Sequence, residues 1–244
     1  MAAYAARVGS EALIFMPRST PHANLVECQI TGAQVRLVDG LIDLAGKLAE
    51  QAAQSDGWFN MSTFKEPYRV EGKKIMGYEI AESLGWMLPH VIIYPTGGGT
   101  GLVGMWKAFQ ELEQLGWLES RTKPRMIAVQ AEGCAPVVKA ITEGASKCDL
   151  WEDAHTIATG LCVPKSFADQ LILKDIRASH GTAVSVTDQD ITHFQQHLAQ
   201  TEGIFPCPEG AATLAALDKM LQQKMVDPAE TIVLFNTGSG LKYI

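Results

Sequence analysis

A run of five glycines within eight residues restricts the fold of this chain more than any other feature. The run follows an apolar segment at 91–94 and precedes a helix predicted over 102–115. Glycine admits positive φ and lets the backbone approach a ligand closely. Successive N–H groups at a helix N-terminus attract a phosphate group. A simple strand-to-helix turn needs only one or two glycines, so this run predicts a phosphate-binding loop.

Two other known classes of phosphate-binding loop, the dinucleotide motif and the P-loop, also contain closely spaced glycines. Gly99, Gly101 and Gly104 match the G-x-G-x-x-G dinucleotide motif, with Glu132 after the next predicted strand. Glu132 lies farther from the glycines than the expected spacing of about 20 residues, which weakens the match. An NAD-binding Rossmann oxidoreductase therefore remains only as an alternative. The P-loop of nucleotide triphosphatases is excluded because no Gly-Lys-Ser/Thr follows the glycines.

Predicted strands and helices alternate along the whole chain. Short apolar segments at 12–16, 35–38, 58–61, 91–94, 126–129, 184–186 and 231–235 are predicted strands, mostly separated by helical segments. This order is typical of an α/β fold with a parallel sheet and helices on its faces. Thr187 and Asp190 form a capping-box pattern that predicts the start of one helix. Residues 62–74 are polar and irregular, and we expect them to connect a small N-terminal unit, 1–61, to a larger one, 62–244.

Composition restricts the partners. The formal net charge is −7, which argues against nucleic acid or an acidic membrane surface. No apolar run reaches the ~18–20 residues of a membrane span. The five cysteines are scattered and form no C-x-x-C pair, and His193 and His197 have no third ligand near them, so no metal site is predicted. The cysteine pattern also favours a reducing, cytoplasmic location. A small-molecule substrate is therefore the expected partner.

Several segments, in order along the chain, resemble threonine synthase-like enzymes of the tryptophan synthase β group. The glycine loop and its helix resemble the family's cofactor-phosphate loop, and the polar segment resembles the family's N-P-Y-R-x-E-G-x-K motif. The final glycine-rich segment resembles the family's closing T-G-x-G-L-K motif. The similar segments are Pro67–Lys74, Pro95–Phe109, Pro124–Pro136, Thr156–Gly160, Glu202–Phe205, Pro208–Ala212 and Thr237–Lys242.

The resemblance implies a fold type II, three-layer parallel-sheet architecture, incomplete at its N-terminus, with 1–61 as the remnant of a small subdomain and 62–244 as the cofactor-binding domain. The implied cofactor is pyridoxal 5′-phosphate (PLP), and the implied reaction converts O-phosphohomoserine and water to threonine and phosphate. The family's homologous positions assign the cofactor phosphate to the glycine loop and the pyridine nitrogen to a threonine hydroxyl. These cofactor-binding residues are Gly97, Gly98, Gly99, Thr100, Gly101 and Thr237.

The resemblance also indicates that the family's Schiff-base lysine segment is absent from this sequence. The family's Schiff-base lysine lies in an S-F-K segment near the start of the enzyme, and the beginning of this chain resembles a helix that follows it. We therefore expect a truncated chain with no catalytic residue of its own, inactive alone and self-associating as a homo-oligomer. The segment Ser62–Lys65 superficially resembles the family's S-F-K segment. Lys65, however, lies directly before the polar motif, far downstream of the position of the family's lysine. A related PLP dehydratase or ammonia-lyase, or a non-catalytic remnant, remain alternatives.

Overall fold

The computed structural model describes residues 1–120 and 122–244. Sixteen helices and strands alternate along these ranges, together with two 3-10 turns at Thr159–Leu161 and Gly240–Tyr243. In chain order they are α1 (Ala2–Arg7), β1 (Leu13–Pro17), α2 (His22–Ile30), β2 (Gln34–Val38), α3 (Ile42–Asp56), α4 (Tyr68–Lys73), α5 (Ile75–Ser83), β3 (Val91–Pro95), α6 (Thr100–Leu115), β4 (Arg125–Ala131), α7 (Pro136–Thr142), α8 (Asp169–Ala178), β5 (Thr182–Val186), α9 (Asp188–Glu202), α10 (Pro208–Gln222) and β6 (Ile232–Leu234).

The strands form two parallel sheets. β1 and β2 pair with each other, and the other four strands are ordered β5-β4-β3-β6. In the larger sheet Ile93 of β3 lies opposite Ile127 of β4 and Leu234 of β6. All five residues of β3 are buried, as expected for a strand covered on both faces.

The larger sheet is the middle layer of three. Side chains of β3 alternate between two hydrophobic clusters: Ile92 and Tyr94 pack on one face, and Val91 and Ile93 on the other. The first cluster contains residues of α6 and α8, and the second contains residues of α10. The α/β, three-layer parallel-sheet architecture expected from the sequence is confirmed.

The glycine-loop helix α6 is the most buried helix on the first face. Its buried side chains include Leu102, Met105, Phe109 and Leu112, all at most 1% exposed. Their spacing of three and four residues places them on one stripe of the helix. Burial of this stripe fixes α6 against the sheet, and so fixes the position of its N-terminus at the end of β3.

One sequence expectation about local structure was wrong, and one helix was not predicted. Residues 58–61 are not a strand, because Asn60 forms a local turn in which its Oδ1 accepts the Ser62 N–H at 2.9 Å. The segment 149–179, which the sequence left unassigned, contains α8, whose Ile172, Leu173 and Ile176 are fully buried. That helix has no side-chain cap at its start, so it lacked a start signal. The division of the chain at residues 61 and 62 stays a prediction.

None of the helices within residues 1–120 and 122–244 is long and apolar enough to cross a membrane.

The predicted capping box at the start of α9 is confirmed. The Thr187 hydroxyl accepts the Asp190 N–H at 3.0 Å, and the Asp190 carboxylate accepts the Thr187 N–H at 3.2 Å. We expect Thr187→Ala to lower the free energy of unfolding by about 0.5–2 kcal/mol, because a helix N–H loses its partner. Urea unfolding followed by circular dichroism measures this. Thr192→Ala on the exposed face of the same helix is the control, and an equal loss in both variants would contradict the capping role.

Candidate functional site

The glycine loop begins at the carboxyl end of β3, where parallel α/β sheets bind their ligands. Thr96 anchors its start: the Thr96 N–H donates to the Val129 carbonyl at 2.8 Å, and the buried Gln130 amide donates to the Thr96 carbonyl at 3.0 Å. The other side of Gln130 accepts the N–H groups of Val137 and Val138 at the start of α7. One buried side chain therefore connects the loop to the neighbouring strand and helix.

Three loop positions have no room for a side chain. A Cβ on Gly97 would lie 2.2 Å from the Gly160 carbonyl oxygen, and one on Gly101 would lie 2.0 Å from the Tyr94 hydroxyl. Gly99 has φ +75°, and a Cβ there would lie 2.2 Å from Ile172. Close packing behind the loop therefore requires glycine at these positions, as does the backbone conformation at Gly99.

The loop provides unpaired donors at a helix N-terminus. Within the described ranges no protein acceptor lies within hydrogen-bonding distance of the N–H groups of Gly97, Gly98 or Gly99. The 16-residue helix α6 begins at Thr100, and its first N–H groups have no partner within the helix. The Gly98 carbonyl, which would repel an anion, accepts the Ser166 hydroxyl at 3.0 Å. This arrangement suits a phosphate group.

A cavity of about 400 Å³ opens at the loop. Its volume is within the usual range for small-molecule sites, roughly 300–1,000 Å³. All six residues that the sequence assigned to the cofactor line it, so the fold brings Thr237 to the glycine loop across 136 residues of chain. These residues are Gly97, Gly98, Gly99, Thr100, Gly101 and Thr237. Their contact with a cofactor stays a prediction.

Thr237 is positioned through Cys207. The Cys207 N–H donates to the Gly238 carbonyl at 2.9 Å, and the Cys207 Sγ lies 3.6 Å from the Thr237 Oγ1. Cys207 also caps α10, since its Sγ accepts the Gly210 N–H at 3.4 Å. Burial raises the pKa of the Cys207 thiol, so this group stays protonated and serves as a packing and capping residue. The sequence had suggested a small core residue for Cys207.

Four further residues of the cavity were missed or left without a role by sequence reasoning. Glu209 is buried, and Tyr243, Lys73 and Lys242 also line the cavity. The Lys242 ammonium forms an ion pair with Glu27 of α2 at 2.8 Å. The only sequence signal for Glu209 was its place in the first turn of a predicted helix. The lysines had none, because Lys73 and Lys242 are brought to the cavity by tertiary packing.

Lys65 lies outside the lining of this cavity. Its ammonium forms an ion pair with Glu50 at 2.6 Å and lies 4.7 Å from the centre of the Phe167 ring. These contacts hold the Lys65 side chain against Glu50 of α3 and away from the glycine loop. Glu132, the possible ribose ligand of a dinucleotide site, is half exposed and lies 3.9 Å from Lys219, again outside the cavity lining.

Comparison with known proteins identifies the family. The family model described as pyridoxal-phosphate dependent enzyme matches residues 1–238, and this chain belongs to that family. Threonine synthase of Methanocaldococcus jannaschii is 33% identical over 243 residues, which is 99% of this chain and 59% of the relative. Threonine synthase of Bacillus sp. (strain ULM1) is 31% identical over 242 residues, 99% of this chain and 65% of the relative. The chain thus spans about three fifths of the length of the relatives that it matches.

Solved structures confirm the fold type. Threonine deaminase isoform 2 of Solanum lycopersicum, in its processed form, superimposes with a TM-score of 0.78 at 21% identity, covering 98% of this chain and 65% of that one. L-serine ammonia-lyase of Rhizomucor miehei gives a TM-score of 0.79 at 21% identity, covering 98% and 73%. The architecture is that of fold type II PLP enzymes, and the family's cofactor is PLP. The dinucleotide alternative has no support from these comparisons.

The residues present fit the phosphate end of PLP. The cradle consists of unpaired backbone N–H groups, and its glycines leave no space for any Cβ behind the loop. The Thr237 hydroxyl also lines the cavity. Burial raises the pKa of Tyr94, which lines the cavity beside the loop, to about 12. Its hydroxyl therefore stays neutral and does not repel an anion.

We expect Gly97→Ala to weaken PLP binding at least ~tenfold, because the added Cβ would lie 2.2 Å from a backbone oxygen and must displace the loop. Quenching of tryptophan fluorescence during PLP titration measures the affinity. Gly72→Ala in α4 is the matched control, since nothing lies within 4 Å of its Cβ position. Equal affinities of the two variants would contradict the assignment of the loop.

Proposed function

We propose that this chain carries the cofactor-phosphate site of a threonine synthase-like PLP lyase acting on O-phosphohomoserine. The observation that carries the proposal is the convergence of the glycine loop and Thr237 on one cavity. Similarity of 33% and 31% to two threonine synthases across 99% of the chain supports the same substrate class. The site residues Gly97–Gly101 hold the phosphate by backbone N–H groups, and Thr237 faces the pyridine nitrogen.

Bound PLP supplies an electron sink for negative charge on the substrate's α-carbon. The residues of this chain orient it from both ends. The loop N–H groups and the α6 dipole neutralise the phosphate charge, while the Thr237 hydroxyl offers a neutral hydrogen bond to the ring. A neutral partner, unlike a carboxylate, does not hold the ring nitrogen protonated. Lys73 and Lys242 add positive charge to the cavity, which suits a phosphorylated amino acid.

We further propose that these 244 residues alone do not catalyse the reaction. None of the segments resembling the family contains its Schiff-base lysine. A catalytic lysine needs an environment that favours the neutral amine. Lys65 and Lys242 are each held in an ion pair with a carboxylate, at 2.6 Å and 2.8 Å. A PLP dehydratase or ammonia-lyase is the second candidate, favoured by the fold-level similarity to threonine deaminase and L-serine ammonia-lyase.

Borohydride trapping tests the absence of a Schiff-base lysine. After incubation with limiting PLP and reduction, we expect low-level labelling spread over several lysines, because no single amine is held neutral at the cofactor. Peptide mass spectrometry locates the adducts. A stoichiometric adduct at Lys65, Lys73 or Lys242 that inorganic phosphate suppresses would contradict this part of the proposal.

The same preparation, supplied with PLP and O-phosphohomoserine, is expected to release no phosphate above the level without protein. Turnover to threonine would contradict the inactivity of the chain and support the substrate. Release of ammonia from serine or threonine, without phosphate release from O-phosphohomoserine, would instead support the dehydratase alternative.

An apolar surface beside the site supports self-association. A second cavity of about 1140 Å³ lies between β1, α3 and the segment around α4, and it shares Thr63, Lys73 and Gly98 with the first. Its lining includes the exposed side chains Tyr4 (77%), Phe59 (67%) and Ile75 (54%). The neighbouring sheet has only two parallel strands, and parallel sheets are normally covered on both faces. We propose that a second copy of the chain covers this surface.

Phe59→Ser is expected to shift the chain towards monomer, raising the dimer dissociation constant at least ~tenfold, because a large apolar side chain is lost from the contact. Size-exclusion chromatography with light scattering over a concentration series measures the mass. Ile30→Ser is the control: Ile30 is 81% exposed but lies outside this cavity. A monomeric wild-type chain, or equal shifts in both variants, would refute self-association through this surface.

A further inference from the structure

A buried carboxylate contacts Gly160, the residue that packs against the first glycine of the phosphate loop. Glu209, in the first turn of α10, is only 6% exposed and lines the cavity. Its Oε1 accepts the Gly160 N–H at 2.7 Å, and both of its oxygens accept the Tyr243 hydroxyl at 2.9 Å. A buried carboxylate is costly unless such donors satisfy it, so the two contacts hold Glu209 in one position.

Gly160 packs between Glu209 and the phosphate loop. A Cβ on Gly160 would lie 2.9 Å from the Glu209 Oε1, and a Cβ on Gly97 would lie 2.2 Å from the Gly160 oxygen. The peptide units of Gly160 therefore fill the space between the carboxylate and the first glycine of the loop. A shift of Glu209 changes where the Gly160 turn lies, and Gly97 can follow only in the same direction because the packing leaves no gap.

Tyr243 is suited to act as a permanent donor. Burial, followed by the nearby Glu209 carboxylate, raises the pKa of Tyr243 well above its usual range. The hydroxyl consequently stays protonated at neutral pH, where it donates to Glu209. Tyr243 belongs to the 3-10 turn that also carries Lys242, so this turn contributes both a cavity cation and a support for the loop.

We propose that Tyr243, Glu209 and Gly160 form a positioning relay that sets the geometry of the phosphate loop through Gly97. The relay rests on the proposed function in one respect, since the ligand it serves is a phosphate held by that loop. Glu209 and Tyr243 are positioning residues: the Glu209 carboxylate would repel a phosphate, and it already accepts the Gly160 N–H and the Tyr243 hydroxyl.

Tyr243→Phe tests the relay with little change of volume. Loss of one hydrogen bond to a carboxylate is expected to weaken PLP affinity about threefold to tenfold. Affinity for pyridoxal, which has no phosphate, is expected to stay unchanged, because the relay acts only on the loop. Fluorescence titration with each compound, and with inorganic phosphate as competitor, gives the three affinities.

Tyr78→Phe is the matched control. Tyr78 is also half buried, and its hydroxyl also donates to a carboxylate, that of Glu111 at 2.7 Å, but it lies outside the cavity lining. Both variants lose a similar hydrogen bond and a similar part of their thermal stability. Only Tyr243→Phe is expected to lose phosphate-dependent affinity. Equal affinities for PLP in the two variants, or an equal loss for pyridoxal and PLP in Tyr243→Phe, would overturn the relay.

Amide hydrogen exchange separates failure of the relay from failure of the proposed function. If the wild-type chain does not bind PLP or phosphate, the proposed function fails, and exchange in the unliganded chain decides the relay. Tyr243→Phe is then expected to speed exchange, relative to Tyr78→Phe, at Gly160 and at the hydrogen-bonded amides on either side of the loop glycines, those of Thr96 and Val103. Faster exchange at Gly160 without a change at the loop would show that the two are not coupled.

Discussion

The structure depends on a close backbone contact between two loops from distant parts of the chain. Gly97 lies so near the Gly160 carbonyl that a Cβ would approach within 2.2 Å of it. Around this contact, Gln130 holds the start of the glycine loop to β4, Ser166 holds the Gly98 carbonyl, and Glu209 holds Gly160. Within residues 1–120 and 122–244 the N–H groups of Gly97–Gly99 donate to no other protein group, so a preorganised set of backbone donors makes the anion site.

The parallel sheet determines why these groups meet. The carboxyl ends of β3, β4 and β6 lie at one edge, since all three run in the same direction in the order β4-β3-β6. The loops after β3 and β6 therefore contribute Gly97–Gly101 and Thr237 to one cavity. Side chains of Ile92 and Ile93 on opposite faces of β3 anchor the helices α6 and α10 in different layers. The site thus lies where both helical layers present their N-termini.

The positively charged side chains of the cavity belong to elements outside the two sheets. Lys73 belongs to α4 and Lys242 to the last 3-10 turn, and Lys242 pairs with Glu27 of α2. These contacts join the segment containing the two-stranded sheet to the larger sheet's cavity.

The sequence by itself determined the alternation of strands and helices, the glycine-rich loop between β3 and α6, the capping box at Thr187 and the family resemblance, because each has a local signal in periodicity, glycine spacing or motif. It did not predict α8, which lacks a capping side chain, and it wrongly predicted a strand at 58–61, where Asn60 forms a turn. Only the tertiary structure decided that Glu209, Tyr243, Lys73 and Lys242 line the cavity and that Lys65 does not. Those placements depend on contacts between residues far apart in the chain, such as Tyr243 with Glu209, 34 positions apart, and Lys242 with Glu27, 215 positions apart. Local sequence patterns carry no record of such contacts.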